Sequence, residues 1–207
     1  MKELCLFRDI AFSDPRAIRE VQESRLREHL VYASTHSPFY RRTLQEIAVD
    51  FARVTLEELS GLPFTEKSDL EECNDDFCAV PSTEFVDIVL SSGTTGKPTR
   101  MMYTEHDLLR LGYNEEKSFA GCGVSAEDRV LLTCTMDRCF VAGLAYFLGI
   151  RSLGAAAIRN GQSSLESHAE MISRMHPSVI VGVPTFLKRM GLFLQKKGTD
   201  PRKTKVS

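Results

Sequence analysis

The chain has 207 residues, 43% apolar and 26% charged, and its 26 basic and 28 acidic side chains leave a net charge of -2. That length and composition suit one good-sized globular domain, or a domain with an appendage, with enough apolar residues to bury a core. They supply no electrostatic footprint for nucleic acid or an anionic membrane surface, and no run reaches the ~18 apolar residues that a bilayer span requires.

The N-terminal stretch MKELCLFRDIAF lacks a long apolar run and a small-residue cleavage site, so it is not expected to be a signal peptide. The predicted location is cytoplasmic. Asp14-Pro15 reads as a helix start, with proline at a position where a missing N–H costs nothing. Ile18, Val21, Leu26 and Leu30 form a helical stripe, and the helix should stop before Pro38. Thr55 to Glu58 is a capping box, and Thr65 is the expected cap of a further short helix. Beyond residue 84 the texture changes. Phe85 to Leu90 is rich in β-formers and runs into a glycine loop, and Thr104 to about Ala120 reads as a helix. Strands are predicted at Arg129–Cys134, Ala155–Ile158 and Val179–Val183, and helices at Phe140–Leu153, Leu165–Met175 and Pro184–Lys197. Strands alternating with helices imply βαβ units and a mostly parallel sheet. The polar tail GTDPRKTKVS offers no closing element, so the sheet is expected to be incomplete within this chain.

The fold class is therefore α/β: a helical N-terminal segment, residues 1–84, packing on the sheet, followed by a βα portion, residues 85–207, as one incomplete domain. The stretch LSSGTTGKPTRMMYT between the predicted strand at 85–90 and the helix after it gathers four hydroxyls, Ser91, Ser92, Thr94 and Thr95, around Gly93 and Gly96, and adds Lys97. Glycine lets backbone approach a ligand, successive N–H groups can converge on an anion, and lysine supplies a point charge suited to phosphate. It is not the Walker loop, which has four residues between its glycines where this one has two, and whose lysine is not followed by proline. The plain alternative is a polar hairpin turn, built from the same residue types.

The string SSGTTGKPT, Ser91 to Thr99, resembles the phosphate-binding motif of the AMP-forming acyl- and aryl-CoA synthetases. HSPFYRRTL from His36, LPFTEKSDL from Leu62, YTEHDL from Tyr103, GLAYFLGIRSLGA from Gly143 and VGVPTFL from Val181 are similar to the phenylacetate–CoA ligase branch, in the same order along nearly the whole chain. The resemblance implies that the region is part of the large N-terminal domain of an adenylate-forming enzyme. It implies a carboxylic acid activated with ATP to an acyl-adenylate, then passed to coenzyme A, with Mg2+ accompanying the nucleotide. It assigns Ser91, Ser92, Gly93, Thr94, Thr95, Gly96 and Lys97 to the β- and γ-phosphates, and Phe140, Gly143 and Pro184 to the acyl pocket. The family's adenine- and ribose-binding motifs, magnesium-contacting acid and catalytic lysine lie downstream of the matched region, so the catalytic residues are expected beyond Ser207 and this chain alone is expected to be inactive. The expected partner is a small carboxylic acid, not nucleic acid or membrane, and a homodimer is compatible with the resemblance. Two readings stay open beside it: a non-catalytic nucleotide-binding or interaction remnant, and an adenylating enzyme with an acceptor other than coenzyme A. One stretch departs from the branch. Where phenylacetate ligases tend to carry glycines and aromatics, this chain has TMDRCF, Thr135 to Phe140, and Asp137 and Arg138 are a poor lining for a phenyl ring.

The remaining chemistry-bearing residues read more plainly. The six cysteines form no CxxC pair and are expected to be reduced, mostly buried thiols rather than zinc ligands. His36 reads as a capping or packing residue, and His106, His168 and His176 as surface residues. The acidic cluster Glu71-Glu72 and Asp75-Asp76 reads as a solvated turn, with a divalent-ion site as its alternative.

Overall fold

A computed structural model describes residues 10, 12–47, 49–91, 98–198 and 206. The chain is α/β and divides into two compact units, Met1–Thr104 and Glu105–Ser207.

In the first unit, α1 (Pro15–His36) starts as expected: Asp14 accepts the amide of Arg16, and Pro15 occupies the first turn. Ser37 ends α1 and caps α2 (Pro38–Gln45). Ser37 is 1% exposed, and its hydroxyl accepts from the Tyr40 amide and donates to the Asp76 carbonyl at 2.9 Å, so one buried side chain ties three segments together. Leu30, Leu44 and Val54 form the small core here, with Leu26, Tyr40 and Phe51 around it. The Thr55–Glu58 capping pair forms, but it opens a 3-10 turn at Glu58–Gly61 rather than an α-helix. The cap of α3 (Lys67–Glu72) is Glu66, paired reciprocally with Asp69, and not Thr65, whose hydroxyl instead meets that of Tyr40.

The run at 85–90 forms a strand at β1 (Asp87–Leu90), and it pairs antiparallel with β2 (Arg100–Tyr103), where no strand was expected. The glycine loop therefore joins the arms of a β-hairpin instead of leading from a strand into a helix. RMMY carries little strand propensity by itself; the pairing of Asp87 with Tyr103 through Leu90 with Arg100 creates it. Asn74 exchanges two hydrogen bonds with the Arg100 backbone, and Arg100 also pairs with Asp75. Those bonds fasten the hairpin to the 3-10 turn Asn74–Phe77, and the hairpin belongs to the first unit, which ends at Thr104 where sequence reasoning put a division at residue 84.

The second unit runs α4 (Glu105–Gly121), β3 (Arg129–Leu132), α5 (Val141–Leu153), β4 (Ala156–Arg159), α6 (Leu165–Met175), β5 (Val179–Val181) and α7 (Pro184–Lys196). Its three strands are parallel in the order β4-β3-β5. The central strand is buried on both faces, as a strand covered by helices on each side must be. Val130 and Leu132 pack with Phe119 of α4 and Ile150 of α5, whereas Leu131 packs with Ile172 of α6 and Met190 and Leu194 of α7. Helix α4 meets α5 so closely that a Cβ on Gly149 would lie 2.3 Å from the Glu115 Cβ and 2.8 Å from its carbonyl carbon. Gly154, at φ 85°, ends α5 in the left-handed region that glycine adopts without penalty.

Candidate functional site

The loop that drew attention in the sequence is closed at its base. The Ser91 amide donates to the Thr99 carbonyl at 2.9 Å, and the Thr99 amide donates to the Ser91 hydroxyl at 2.8 Å. Thr99 is buried and Ser91 exposed. The Ser91 hydroxyl is thus an acceptor that pins the loop, a role the sequence did not indicate. Ser92, Gly93, Thr94, Thr95, Gly96 and Lys97 lie outside the described residues.

A second candidate lies in the second unit. β3 leaves the sheet toward α5 on one face, and β4 leaves toward α6 on the other. Neighbouring parallel strands whose connections depart to opposite faces open a crevice at their carboxyl ends, where α/β sheets take ligands. A cleft of about 490 Å3 lies there, lined by Thr135, Met136, Asp137 and Arg138 after β3 and by Arg159, Asn160, Gly161 and Gln162 at the end of β4.

The rim after β3 is held in an unusual backbone. Arg138 and Cys139 sit in succession at φ 57° and 58°, in the region suited to glycine, at a cost of roughly 1–2 kcal/mol each. The Thr135 hydroxyl donates to the Asp137 carboxylate and accepts the Asp137 amide. Gly143, in the first turn of α5, lies directly under this rim: a Cβ there would meet the Thr135 carbonyl oxygen at 1.9 Å. Gly182, after β5, is similarly pressed: a Cβ there would lie 2.4 Å from the Thr133 Oγ1. Phe140 precedes α5 with 46% of its surface exposed, and Pro184 opens α7 at the carboxyl end of β5. Phe140, Gly143 and Pro184 thus all follow the carboxyl ends of strands, and none of the three is among the residues that line the cleft.

The rim after β4 is held by a buried histidine. His168 is wholly enclosed, not a surface residue as its sequence neighbourhood had implied. Its Nδ1 meets the Asn160 amide nitrogen at 2.9 Å, and the Ser167 hydroxyl donates to the Asn160 carbonyl oxygen at 3.2 Å. The Asn160 side chain is therefore fixed from both ends. The His168 ring packs edge-on against Phe186, and its Nε2 has no partner among the described residues. Burial holds the imidazole below its usual pKa, so it is a neutral acceptor at Nδ1.

His36 stacks on Tyr32 and bonds its carbonyl, which makes it a packing residue, and His176 is exposed at the left-handed end of α6. The cysteines depart from expectation in burial. The described five are free, but Cys122 and Cys139 are exposed and Cys73, Cys78 and Cys134 only half-buried, because most stand at element ends rather than on core stripes. Burial still pushes the Cys134 and Cys78 thiols up, keeping them protonated and unreactive at neutral pH. In the acidic cluster, Glu71 pairs with Lys67, Asp75 with Arg100 and Asp76 with Arg42. Among the described residues no group of three His, Cys, Asp or Glu is placed to hold a metal ion, and no helix is long and apolar enough to cross a membrane.

Residues 17–206 match the family described as AMP-binding enzyme. The chain belongs to that family. Among the AMP-binding enzymes it falls in the phenylacetate–coenzyme A ligase branch. It is 32% identical over 186 residues to the phenylacetate-coenzyme A ligase of Thermus thermophilus, covering 89% of this chain and 42% of the relative. It is 31% identical over 192 residues to that of Pseudomonas putida, covering 92% and 44%. The chain therefore spans less than half the length of these curated relatives. In fold it is similar to a solved 2-hydroxyisobutyryl-CoA ligase in complex with 2-HIB-AMP and CoA, at a TM-score of 0.86 and 22% identity, over 94% of this chain and 43% of that one.

Sequence reasoning toward this AMP-binding chain missed Arg159, Asn160 and His168. The signal for His168 was present: it stands three residues after Leu165 and four before Ile172, on the stripe that α6 buries. Asn160 and Arg159 carried no such signal, since only the switch of connections between β3 and β4 brings them opposite Thr135–Arg138.

Proposed function

We propose that this chain supplies the phosphate-gripping and acid-holding part of an ATP-dependent carboxylate–CoA ligase. The carboxylate oxygen attacks the α-phosphate of ATP, forming an acyl-adenylate and releasing pyrophosphate; a thiolate then displaces AMP and leaves a thioester. In this reading Ser91 through Lys97 hold the β- and γ-phosphates that depart as pyrophosphate. Their contribution is positioning, together with stabilisation of charge that builds on the leaving oxygens. Ser91 and Thr99 fix the loop's base, and the crevice after β3 and β4 receives the acid. Phe140, Gly143 and Pro184, at the carboxyl ends of β3 and β5, support that acid site from outside its lining, and residues of the longer family chain complete the reaction.

The observation that carries the proposal is the match of residues 17–206 to the AMP-binding enzymes, with SSGTTGKPT as the connection of a hairpin closed by Ser91 and Thr99. Coenzyme A as acceptor is supported by relatives that are coenzyme A ligases. Magnesium would enter with the nucleotide and neutralise phosphate charge; no described residue is assigned to it. A cytoplasmic location accompanies the reading.

The test is acid-dependent exchange of pyrophosphate into ATP by the complete polypeptide the gene encodes, over a broad panel of carboxylic acids. Exchange with at least one acid is expected. Lys97→Ala should lower the exchange rate at least tenfold, with a smaller effect on thioester formation from preformed adenylate. Absence of exchange with every acid would overturn the proposal, and equal loss in both half-reactions would remove the role given to Lys97.

A further inference from the structure

The cleft at the carboxyl ends of β3 and β4 has an unexpected chemistry for an acid-holding site in this branch. Of its eight lining residues only Met136 is apolar. A phenyl ring placed there would gain little from burial, since that gain scales with apolar area removed from water on both partners. The lining is instead rich in donors. Arg138 and Arg159 bring two guanidinium groups against the one carboxylate of Asp137, which already accepts the Thr135 hydroxyl. Neither arginine has an ion-pair partner among the described residues; the Arg159 guanidinium lies 5.0 Å over the Phe147 ring, which orients it without neutralising it. Asn160 is locked by His168 and Ser167, so its position on the rim is preset. The left-handed backbone at Arg138 and Cys139 is a second sign: strain of this kind persists where the surroundings enforce it, and it clusters at ligand sites. The volume of about 490 Å3 accommodates a small organic acid.

We propose that the acid taken by this cleft is a dicarboxylate, whose distal carboxylate is held by Arg138 and Arg159 while the other is the one activated. The proposal rests on the ligase reading for the identity of the reacting end, and on the cleft alone for the anionic end. A fork-shaped guanidinium matches a carboxylate through two parallel hydrogen bonds, which a neutral ring cannot return. Specificity follows from the unmatched case, because an arginine pair facing a phenyl group loses water and receives nothing in exchange.

The experiment titrates the full chain, without nucleotide, with glutarate, phenylacetate and inorganic phosphate, following backbone amide resonances by NMR. Glutarate should shift the amides of residues 135–138 and 160–162 and bind at least tenfold more tightly than phenylacetate. Arg138→Gly is the informative variant, because glycine accepts φ 57° freely and the fold is not put at risk; it should weaken glutarate at least tenfold, with Arg138→Lys between the two. Phenylacetate binding as tightly as glutarate, phosphate matching glutarate, or an unchanged affinity in Arg138→Gly would each overturn the proposal. Pyrophosphate exchange by the complete polypeptide separates the two readings. Exchange with phenylacetate and none with glutarate would sink the dicarboxylate and leave the ligase standing. Arg138-dependent glutarate binding without exchange on any acid would sink the ligase and leave the anion-binding cleft.

Discussion

Gly143→Ala and Gly191→Ala make an opposed pair. Both glycines are helical, one in the first turn of α5 and one in the middle of α7. Helix propensity alone predicts that alanine stabilises each by up to about 1 kcal/mol. The surroundings differ. At Gly191 a Cβ would meet nothing within 4 Å, so the propensity gain should appear nearly whole. At Gly143 the new Cβ would lie 1.9 Å from the Thr135 carbonyl oxygen and 2.8 Å from its carbon. Both are backbone atoms, so α5 or the 135–138 rim must retreat by about 1 Å, at the upper end of the roughly 1–3 kcal/mol that overpacking costs. The net expectation is about 2 kcal/mol of destabilisation for Gly143→Ala and about 0.5–1 kcal/mol of stabilisation for Gly191→Ala. With a urea slope of about 2 kcal/mol/M, the midpoints should move roughly 1 M down and 0.3–0.5 M up. Both residues lie in the second unit, and urea unfolding followed by far-ultraviolet circular dichroism compares their midpoints. If Gly143→Ala unfolds at or above the wild-type midpoint, α5 does not press on the Thr135 carbonyl, and the account of how the cleft rim is held fails.

Three further outcomes test other joints of the structure. Leu131 is wholly buried between β3 and the α6–α7 layer, so Leu131→Ala should cost about 3–4 kcal/mol; Leu192→Ala, at a residue 52% exposed, should cost under about 1 kcal/mol, and similar losses at both sites would contradict the assigned core. Ser37→Ala removes the cap of α2 and leaves the Asp76 carbonyl without its buried donor, so about 2 kcal/mol should be lost; Ser37→Thr should recover part of that, and a neutral Ser37→Ala would refute the three-way tie. Burial lowers the His168 pKa from 6.5, so below that pH the unfolded chain takes up a proton that the folded one refuses. Stability is fully present above about pH 6.5 and is lost as the pH falls toward the folded value. The urea midpoint of the wild type should drop between pH 7 and 5, whereas His168→Gln, lower throughout, should be flatter over that window; equal slopes would mean His168 is not held neutral by the fold.

The second unit was legible because its elements are local. Leu165–Met175 forms over the predicted bounds, and the other strands and helices shift by no more than two residues at either end, since capping residues and apolar runs mark them within a few positions of the chain. β2 was not legible for the complementary reason. Arg100–Tyr103 becomes a strand only through Asp87–Leu90, and that pairing depends on a loop whose polar string reads equally as a turn or as a phosphate cradle. The structure shows the hairpin, closed at Ser91 and Thr99, and the phosphate reading rests on the resemblance of SSGTTGKPT. His168 fell on the wrong side because residue type outweighed position, although its spacing from Leu165 and Ile172 marked the buried face of α6.

The departure at TMDRCF was visible in the sequence as a mismatch of composition, and the backbone supplies its physical content. Arg138 and Cys139 stand at positive φ, where a glycine would sit without strain. A side chain held at a cost of roughly 1–2 kcal/mol in backbone energy is hard to explain by stability. It is explained if the side chain is the point. Arg138 lines the same cleft as Arg159, on the opposite rim. Placing glycine at position 138 should then raise the stability of the second unit by about 1 kcal/mol while the affinity for glutarate falls, a trade of opposite signs in a single variant. A variant both less stable and unchanged in binding would show that Arg138 is there for the fold.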